Sequence, residues 1–218
     1  MFSFIIPTMW KSEFTPSLLR DLENSDLVSE IVLIDNNQSE ISVDLTTFLK
    51  IKYMPQEENI YVNPAWNLGV EVASNELLCI CNDDLIFDVD LYLNKVLEHK
   101  DRLGVFGSNY RDRFNYKKRD RLIPLTSDLQ KKAAIVGNGF GMMMFLKKEN
   151  WVPIPNQLKI YYGDNWIIGS HPKTSYSLEP FKMFKTKPHT TSISKDLRKI
   201  LDKDTKAWKS LVSIYKNF

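Results

Sequence analysis

Glycine is scarce in this chain, 8 among 218 residues, and histidine and cysteine are scarcer, 3 and 2. So little glycine excludes a collagen-like or linker-like composition. No G-x-G-x-x-G follows the first apolar run and no G-x-x-x-x-G-K-[ST] occurs, which removes a dinucleotide-type phosphate loop and a P-loop. G-x-S-x-G is missing too, leaving no nucleophile elbow for an α/β-hydrolase. Cys79 and Cys81 would share one face of a strand, too close along the chain for a relaxed disulfide and too few for a zinc site. They read as reduced, buried, small residues, which points to the cytoplasm. No stretch approaches eighteen uninterrupted apolar residues, so no spanning helix is expected. The start, Met1 to Pro7, lacks a basic segment and a long apolar one, and reads as a strand rather than a signal peptide.

What is present suits one domain with a core: 43% apolar and 12% aromatic residues. The net charge of +2 hides an asymmetry. Residues 1–100 hold 6 basic against 17 acidic side chains, and residues 101–218 hold 23 against 10. That is either a basic surface for an anionic partner, two halves attracting each other around a cleft, or solvated faces.

Apolar runs and helical patterns alternate through the first 108 residues. Strands are expected at Phe2 to Thr8, Glu30 to Asp35, Ile51 to Met54, Leu77 to Asn82 and Leu103 to Gly107. Helices are expected from Thr15-Pro16 to about Ser25, over Ser42 to Leu49, over Asn63 to Ala73, and over Val89 to Lys100 with Leu91, Leu93, Val96 and Leu97 as its apolar positions. Alternation of this kind implies right-handed crossovers and a parallel α/β sheet. Beyond 108 the order changes. Arg111 to Arg121, RDRFNYKKRDR, reads as a basic loop; Gly137 to Gly141 leads into a strand at Met142 to Leu146; Trp151 to Pro155 is a turn. Tyr161 to Trp166 opens a short helix, Tyr176 to Lys185 holds one or two strands, and Asp196 to Tyr215 is a basic amphipathic helix with Leu197, Ile200, Leu201, Trp208, Leu211 and Val212.

Ligands of open α/β sheets bind at the carboxyl edge, where this chain places Thr8, Asp35-Asn36-Asn37 and Asn82-Asp83-Asp84. Adjacent carboxylates repel and are costly to desolvate, and a hard divalent cation with phosphate co-ligands relieves both; the alternative is a solvated, capping loop. Asp35 can accept from a base N–H or a ribose hydroxyl, or form an Asx-turn. Asp164 stands among Tyr161, Tyr162 and Trp166, where low polarity would raise its pKa and fit it for a general base; the alternative is a helix cap. His189 is a metal-ligand or proton-carrier candidate, or structural.

Taken in order, Phe4-Ile5-Ile6-Pro7-Thr8, Ile31 to Asn36, Asn63-Pro64-Ala65-Trp66-Asn67-Leu68-Gly69, Asn82-Asp83-Asp84, a Gly-Asn-Gly lead-in, Gly163-Asp164-Asn165-Trp166 and His189 resemble the large inverting family of nucleotide-sugar glycosyltransferases that includes cellulose and chitin synthases. In compactness the chain is most like the small glycosyltransferase domains of large DNA viruses and phages. The resemblance implies a GT-A fold: an α/β domain over 1–218, its mostly parallel, Rossmann-like sheet flanked by helices and joined by a small antiparallel portion. Residues 1–108 would be the nucleotide-binding half and 109–218 the acceptor and base half. It implies further that Pro7 and Thr8 line the base pocket, Asp35 binds the base (usually uracil), and Asn67 stands near the diphosphate. Asp83 would contact ribose and join Asp84 on Mn²⁺ or Mg²⁺, with His189 a further metal or diphosphate contact. Asp164 would be the general base. The basic half could add Lys185 or Lys187 to the phosphates.

Asn82 stands where the family has the first acid of its Asp-x-Asp, Trp66 where many members have Arg, and Asn165 where a second acid is common. The Gln-x-x-Arg-Trp motif of processive synthases is absent, so transfer of a single sugar is expected. The donor would be a UDP-sugar and the acceptor a hydroxyl of a glycan or glycoprotein, with no nucleic acid. The C-terminal helix is expected to pack on the domain, the alternative being a membrane surface. A nucleotidyltransferase is the competing enzyme class, but the loop after the first strand, Met9-Trp10-Lys11-Ser12, has no glycine. A basic nucleic-acid-binding protein is the competing non-enzyme, and it leaves the acidic edge unexplained.

Overall fold

The computed structural model describes residues 1–101, 104–107, 121–124, 140–179, 183–185 and 195–215. The apolar run at the start forms β1 (Phe2–Thr8), and helix α1 (Thr15–Asn24) returns the chain to β2 (Val28–Asp35). β3 (Ile51–Pro55), α2 (Val62–Val72), β4 (Leu77–Cys81), the short β5 (Leu85–Phe87) and α3 (Val89–His99) follow. Next come β6 (Phe106–Gly107), β7 (Arg121–Pro124), β8 (Met143–Lys147), α4 (Gly163–Ser170), β9 (Tyr176–Glu179), β10 (Met183–Lys185) and a long C-terminal helix, α5 (Lys195–Tyr215). No described helix is long and apolar enough to cross a membrane.

Eight strands make one sheet in the order β3-β2-β1-β4-β8-β6-β9-β7. β3, β2, β1 and β4 are mutually parallel, whereas β8 runs antiparallel to both neighbours, β4 and β6. This is the GT-A architecture expected, a parallel half continued by a mixed one. The connections from β1 lead one way, to β2 and β3, and then back across to β4. The crevice between the carboxyl ends of β1 and β4 is therefore a topological switch point, the place where such sheets hold ligands.

Alternation along the strands explains the continuous apolar runs. Phe4, Ile6, Ile31, Leu33, Cys79 and Cys81 face one core with α1 and α3, while Ile5, Val32, Ile34, Leu78 and Ile80 face the other with α2 and α4. Both cysteines are buried and free, as expected. In the first core Phe145 packs edge-on to Phe2 and Phe4 and stacks on Tyr92, ring centroids 5.2 Å apart.

Several expectations are corrected. Ser42 to Leu49 is not a helix but holds one 3₁₀ turn, Leu45–Thr47. The Asp44 carboxylate accepts from the Thr46 amide at 3.0 Å and the Thr46 hydroxyl at 2.6 Å, a local bond that competes with helix propagation in so short a segment. Leu91 and Leu201 lie outside the apolar faces proposed for them, 54% and 37% exposed, and Tyr92 takes the buried place in α3. Two strands were missed: β5 is only three residues long, and β7 begins at Arg121, the last residue of the expected basic loop. The rest of that loop, and Gly137 to Gly139, lie outside the described residues.

α2 seats against the sheet at Gly69, where an added Cβ would run into the side chain of Ile5 and lie 3.1 Å from that of Ile34. Gly69→Ala should therefore destabilise the fold. Overpacking costs about 1–3 kcal/mol, against at most about 1 kcal/mol gained in helix propensity. Thermal denaturation checks this, and an unchanged midpoint would contradict so close a seating.

Candidate active site

The parallel register carries the chemistry to the sheet edge. Ile5 pairs with Ile80, and three residues further on Thr8 meets Asp83. The Thr8 hydroxyl donates to Asp83 Oδ2 at 2.6 Å and accepts from the Trp10 amide at 2.9 Å. Thr15, at the start of α1, adds its hydroxyl to the Asp83 carbonyl oxygen at 3.0 Å and to Oδ2 at 3.4 Å. Burial pushes the Asp83 carboxyl up to about 6; the Thr8 and Thr15 hydroxyls oppose that rise, and the neighbouring Asp84 charge adds to it.

On the other side of β1, Thr8 pairs with Asp35 at the end of β2, and its carbonyl oxygen accepts from the Asn36 amide at 3.0 Å. Asp35 is fully buried. Its Oδ1 accepts from the Asn37 amide at 2.8 Å, the Asx-turn that the sequence left open, and its Oδ2 accepts from the Tyr53 hydroxyl at 2.6 Å. Burial, then the bond to Asp35 and its charge, push the Tyr53 phenol up to about 12. Each Asp35 oxygen retains a second lone pair for a ligand N–H. Pro7 lies one residue earlier, opposite Ile34.

Asp164 reaches this edge from α4, through the turn Phe140–Met142. The Asn82 amide donates to the Met142 carbonyl oxygen at 2.9 Å, and Gly141, one residue earlier, lies so close to Asp164 that an added Cβ would stand 2.8 Å from its Oδ2. The turn therefore touches Asn82 through Met142 and Asp164 through Gly141. Asp164 is not a helix cap: Tyr162 occupies that position, and Asp164 Oδ1 accepts from the Asn165 amide at 2.8 Å. Burial pushes its carboxyl up to about 6, partly offset by backbone N–H groups that include those of Asn165 and Gly141.

Two of the aromatic residues around Asp164 are committed to packing. Trp166 is buried and donates its indole N–H to the Pro153 carbonyl oxygen at 3.1 Å, and Tyr162 stacks on Trp208 of α5 with centroids 5.2 Å apart. Asn67 is likewise committed elsewhere. Its Nδ2 donates to the Ile154 carbonyl oxygen at 2.8 Å and its Oδ1 accepts from the Ile154 amide at 2.9 Å, a reciprocal clamp that holds the Trp151–Pro155 turn on α2. Lys187 and His189 lie outside the described residues. Lys185, the last residue of β10, pairs opposite Leu85, the residue after Asp84.

Sequence reasoning missed Thr15, Tyr53 and Gly141. It also missed that Trp10, Tyr61 and Tyr162 all adopt positive φ, at 58°, 69° and 65°. All three stand in loops at the carboxyl edge or just before α2 and α4, and strain of this kind collects at functional sites.

Among the described residues no group of three or more His, Cys, Asp or Glu side chains could hold a metal. Asp83 and Asp84 offer two carboxylates, a set that fits a divalent ion completed by ligand phosphates rather than a protein cage.

Glycosyl transferase family 2 matches residues 3–169, ending before α5. Among solved structures, S. aureus TarS 1-349 superposes with a TM-score of 0.59 at 13% identity, covering 94% of this chain and 70% of that one. The same protein in complex with UDP-GlcNAc gives 0.61 at 14%, covering 92% and 64%. The mannosyltransferase PcManGT from Pyrobaculum calidifontis, in complex with GDP-Man and Mn²⁺, gives 0.55 at 13%, covering 81% and 54%. At these identities the likeness is one of fold. No curated protein matches the sequence.

A raised carboxyl pKa also bears on stability. The folded state holds the Asp164 proton up to about 6 and the unfolded chain releases it near 3.8, so this group's contribution is fully present below 3.8 and is lost as pH rises through about 6. At 1.36 kcal/mol per pH unit the gap sets a ceiling of about 3 kcal/mol. Asp164→Asn should therefore raise the melting temperature at pH 7.5 and change it little at pH 4. Equal or lower stability at pH 7.5 would contradict the burial of an ionised carboxylate there.

Proposed function

The chain belongs to glycosyl transferase family 2, and from that premise we propose that it is a divalent-metal-assisted, inverting transferase moving one sugar from a UDP-sugar to a hydroxyl of a glycan or glycoprotein. The observation that carries the reading is that two half-buried acids of raised pKa, Asp83 and Asp164, meet the Phe140–Met142 turn at the switch point of the sheet, Asp83 through its neighbour Asn82 and Asp164 through Gly141. Single displacement with inversion needs two such places: one for the departing diphosphate and one, apart from it, for the proton of the attacking hydroxyl.

Asp164 is the base. Its carboxylate takes the proton as the acceptor oxygen bonds to the anomeric carbon. The bond from that carbon to the UDP oxygen breaks, and its electron pair leaves with the diphosphate. A pKa of about 6 fits the task, since the group is ionised at neutral pH yet more basic than an ordinary carboxylate. Asp83 and Asp84 hold Mn²⁺ or Mg²⁺, with Thr8 and Thr15 fixing Asp83. When bound, the ion supplies positive charge to the leaving diphosphate. Asp35 receives the uracil imide N–H beside Pro7 and Thr8. Lys187 and His189 follow as contacts of the diphosphate from the resemblance of the sequence. The buried free thiols of Cys79 and Cys81 support a reducing, cytoplasmic compartment.

The test is UDP release from UDP-GlcNAc with Mn²⁺, water or an added glycan serving as acceptor. Turnover should need the metal and fall as pH drops through about 6, where the base becomes protonated. Asp164→Asn should lose roughly 10²–10⁴-fold in kcat with UDP affinity retained. Turnover that survives this substitution, with a flat pH profile, would refute the assignment of the base.

A further inference from the structure

The C-terminal helix α5 lies beyond the residues of the family match, yet it grips the segment that precedes the proposed base. Asp204 stands in the middle of this helix with no exposed surface. Its carboxylate accepts from three consecutive amides: Lys159 at 3.1 Å to each oxygen, Ile160 at 2.9 Å and Tyr161 at 2.9 Å. The next residue, Thr205, shares a hydrogen bond of 3.0 Å between its hydroxyl and that of Tyr162. One turn further, Trp208 stacks on the Tyr162 ring with planes 8° apart. Three side chains on one face of α5 thus hold residues 159–162 in succession.

The carbonyl groups of the same segment are taken from the opposite side. The Asn63 amide donates to the Lys159 carbonyl oxygen at 3.0 Å, and Asn63 Nδ2 donates to the Tyr161 carbonyl oxygen at 3.2 Å. Tyr162 is then left with φ at 65°, and Gly163 is packed so tightly on Asn63 that a Cβ would overlap its amide. Asp164 follows directly. A buried carboxylate saturated by backbone N–H groups is a strong, directional anchor, since each bond is charge-assisted. A left-handed, non-glycine residue persists only where its surroundings over-determine it.

We propose that Asp204 is a positioning residue for the transfer reaction: by collecting the amides of residues 159–161 it fixes the turn at Tyr162 and so the orientation of Asp164. This rests on the reading of Asp164 as the base. The basic, solvent-facing side of α5 has no part in it. The helix acts from its inner face, and a displacement on the order of 1 Å at a reacting group can cost about a hundredfold in rate.

The experiment is a double-mutant cycle on UDP release from UDP-GlcNAc and Mn²⁺, with UDP affinity followed by calorimetry. Asp204→Asn keeps the shape but removes the charge and one acceptor. It should lower kcat by about tenfold to a hundredfold, with UDP affinity within about twofold of the parent. In the Asp164→Asn background the same change should cost nothing further, because the group it positions is gone. Thr205→Val, a milder change that keeps the helix, should repeat the pattern at a few-fold loss and serves if Asp204→Asn does not fold. Wild-type kcat in both variants, a loss of equal size with and without the Asp164 carboxylate, or a fall in UDP affinity matching the fall in kcat would each overturn the proposal. If Asp164→Asn alone keeps full turnover, the base assignment has failed. If it is inactive while Asp204→Asn and Thr205→Val are fully active, only the positioning role has.

Discussion

The Asp83 carboxyl lies largely out of water beside that of Asp84, and the hydroxyls of Thr8 and Thr15 are what its Oδ2 has in answer. Hydroxyls stabilise an ionised carboxylate less than a cation would, so Asp83 stays more basic than usual. This one carboxyl gathers β1, α1 and the end of β4 at the carboxyl edge, and on the proposed reading a divalent ion would bind there. Thr8 ties this point to Asp35, since its carbonyl oxygen holds Asn36, the residue after Asp35.

The second acid is placed by a different device. β4 ends in the Asn82-Asp83-Asp84 segment, β8 returns antiparallel beside it, and the turn that opens β8 lies between that segment and Asp164. Gly141 is the residue that permits the approach, because any side chain there would collide with the Asp164 carboxyl. α4, Asn63 and α5 hold the far side. On the proposed reading, proton acceptance and leaving-group stabilisation would thereby fall to separate elements, α4 and the end of β4.

Much of this was legible in the sequence. The buried strands announce themselves as unbroken apolar runs, and the acids that follow them must fall at the carboxyl edge, so Asp35, Asp83 and Asp84 were placed by pattern alone. Asp164 was singled out from its glycine and aromatic neighbours, and the raised pKa expected there is present with burial as its cause, although Tyr162 and Trp166 are themselves held by Trp208 and Pro153. Asn67, placed near the diphosphate because its position matched a motif, also bonds the backbone of Ile154, a contact the sequence did not announce. Asp204 was invisible. One acid among the lysines of an amphipathic helix looks solvated, and only tertiary contact with three backbone amides distant in sequence reveals it as buried. Leu201 erred in the opposite sense: it lies within the helical spacing but just beyond the buried arc. β5 is too short to carry any periodicity; it pairs with β10, which lies within the one or two strands expected over Tyr176 to Lys185.

The account stands on the claim that the base and the departing diphosphate act from opposite faces of the donor sugar in one displacement. The most direct measurement is the anomeric configuration of the first product from UDP-GlcNAc, followed by proton NMR quickly enough to precede mutarotation. The donor is α-linked, so the account predicts a β-configured product. A product that retains the α configuration would contradict it, because Asp164 could then not be the base of a single displacement.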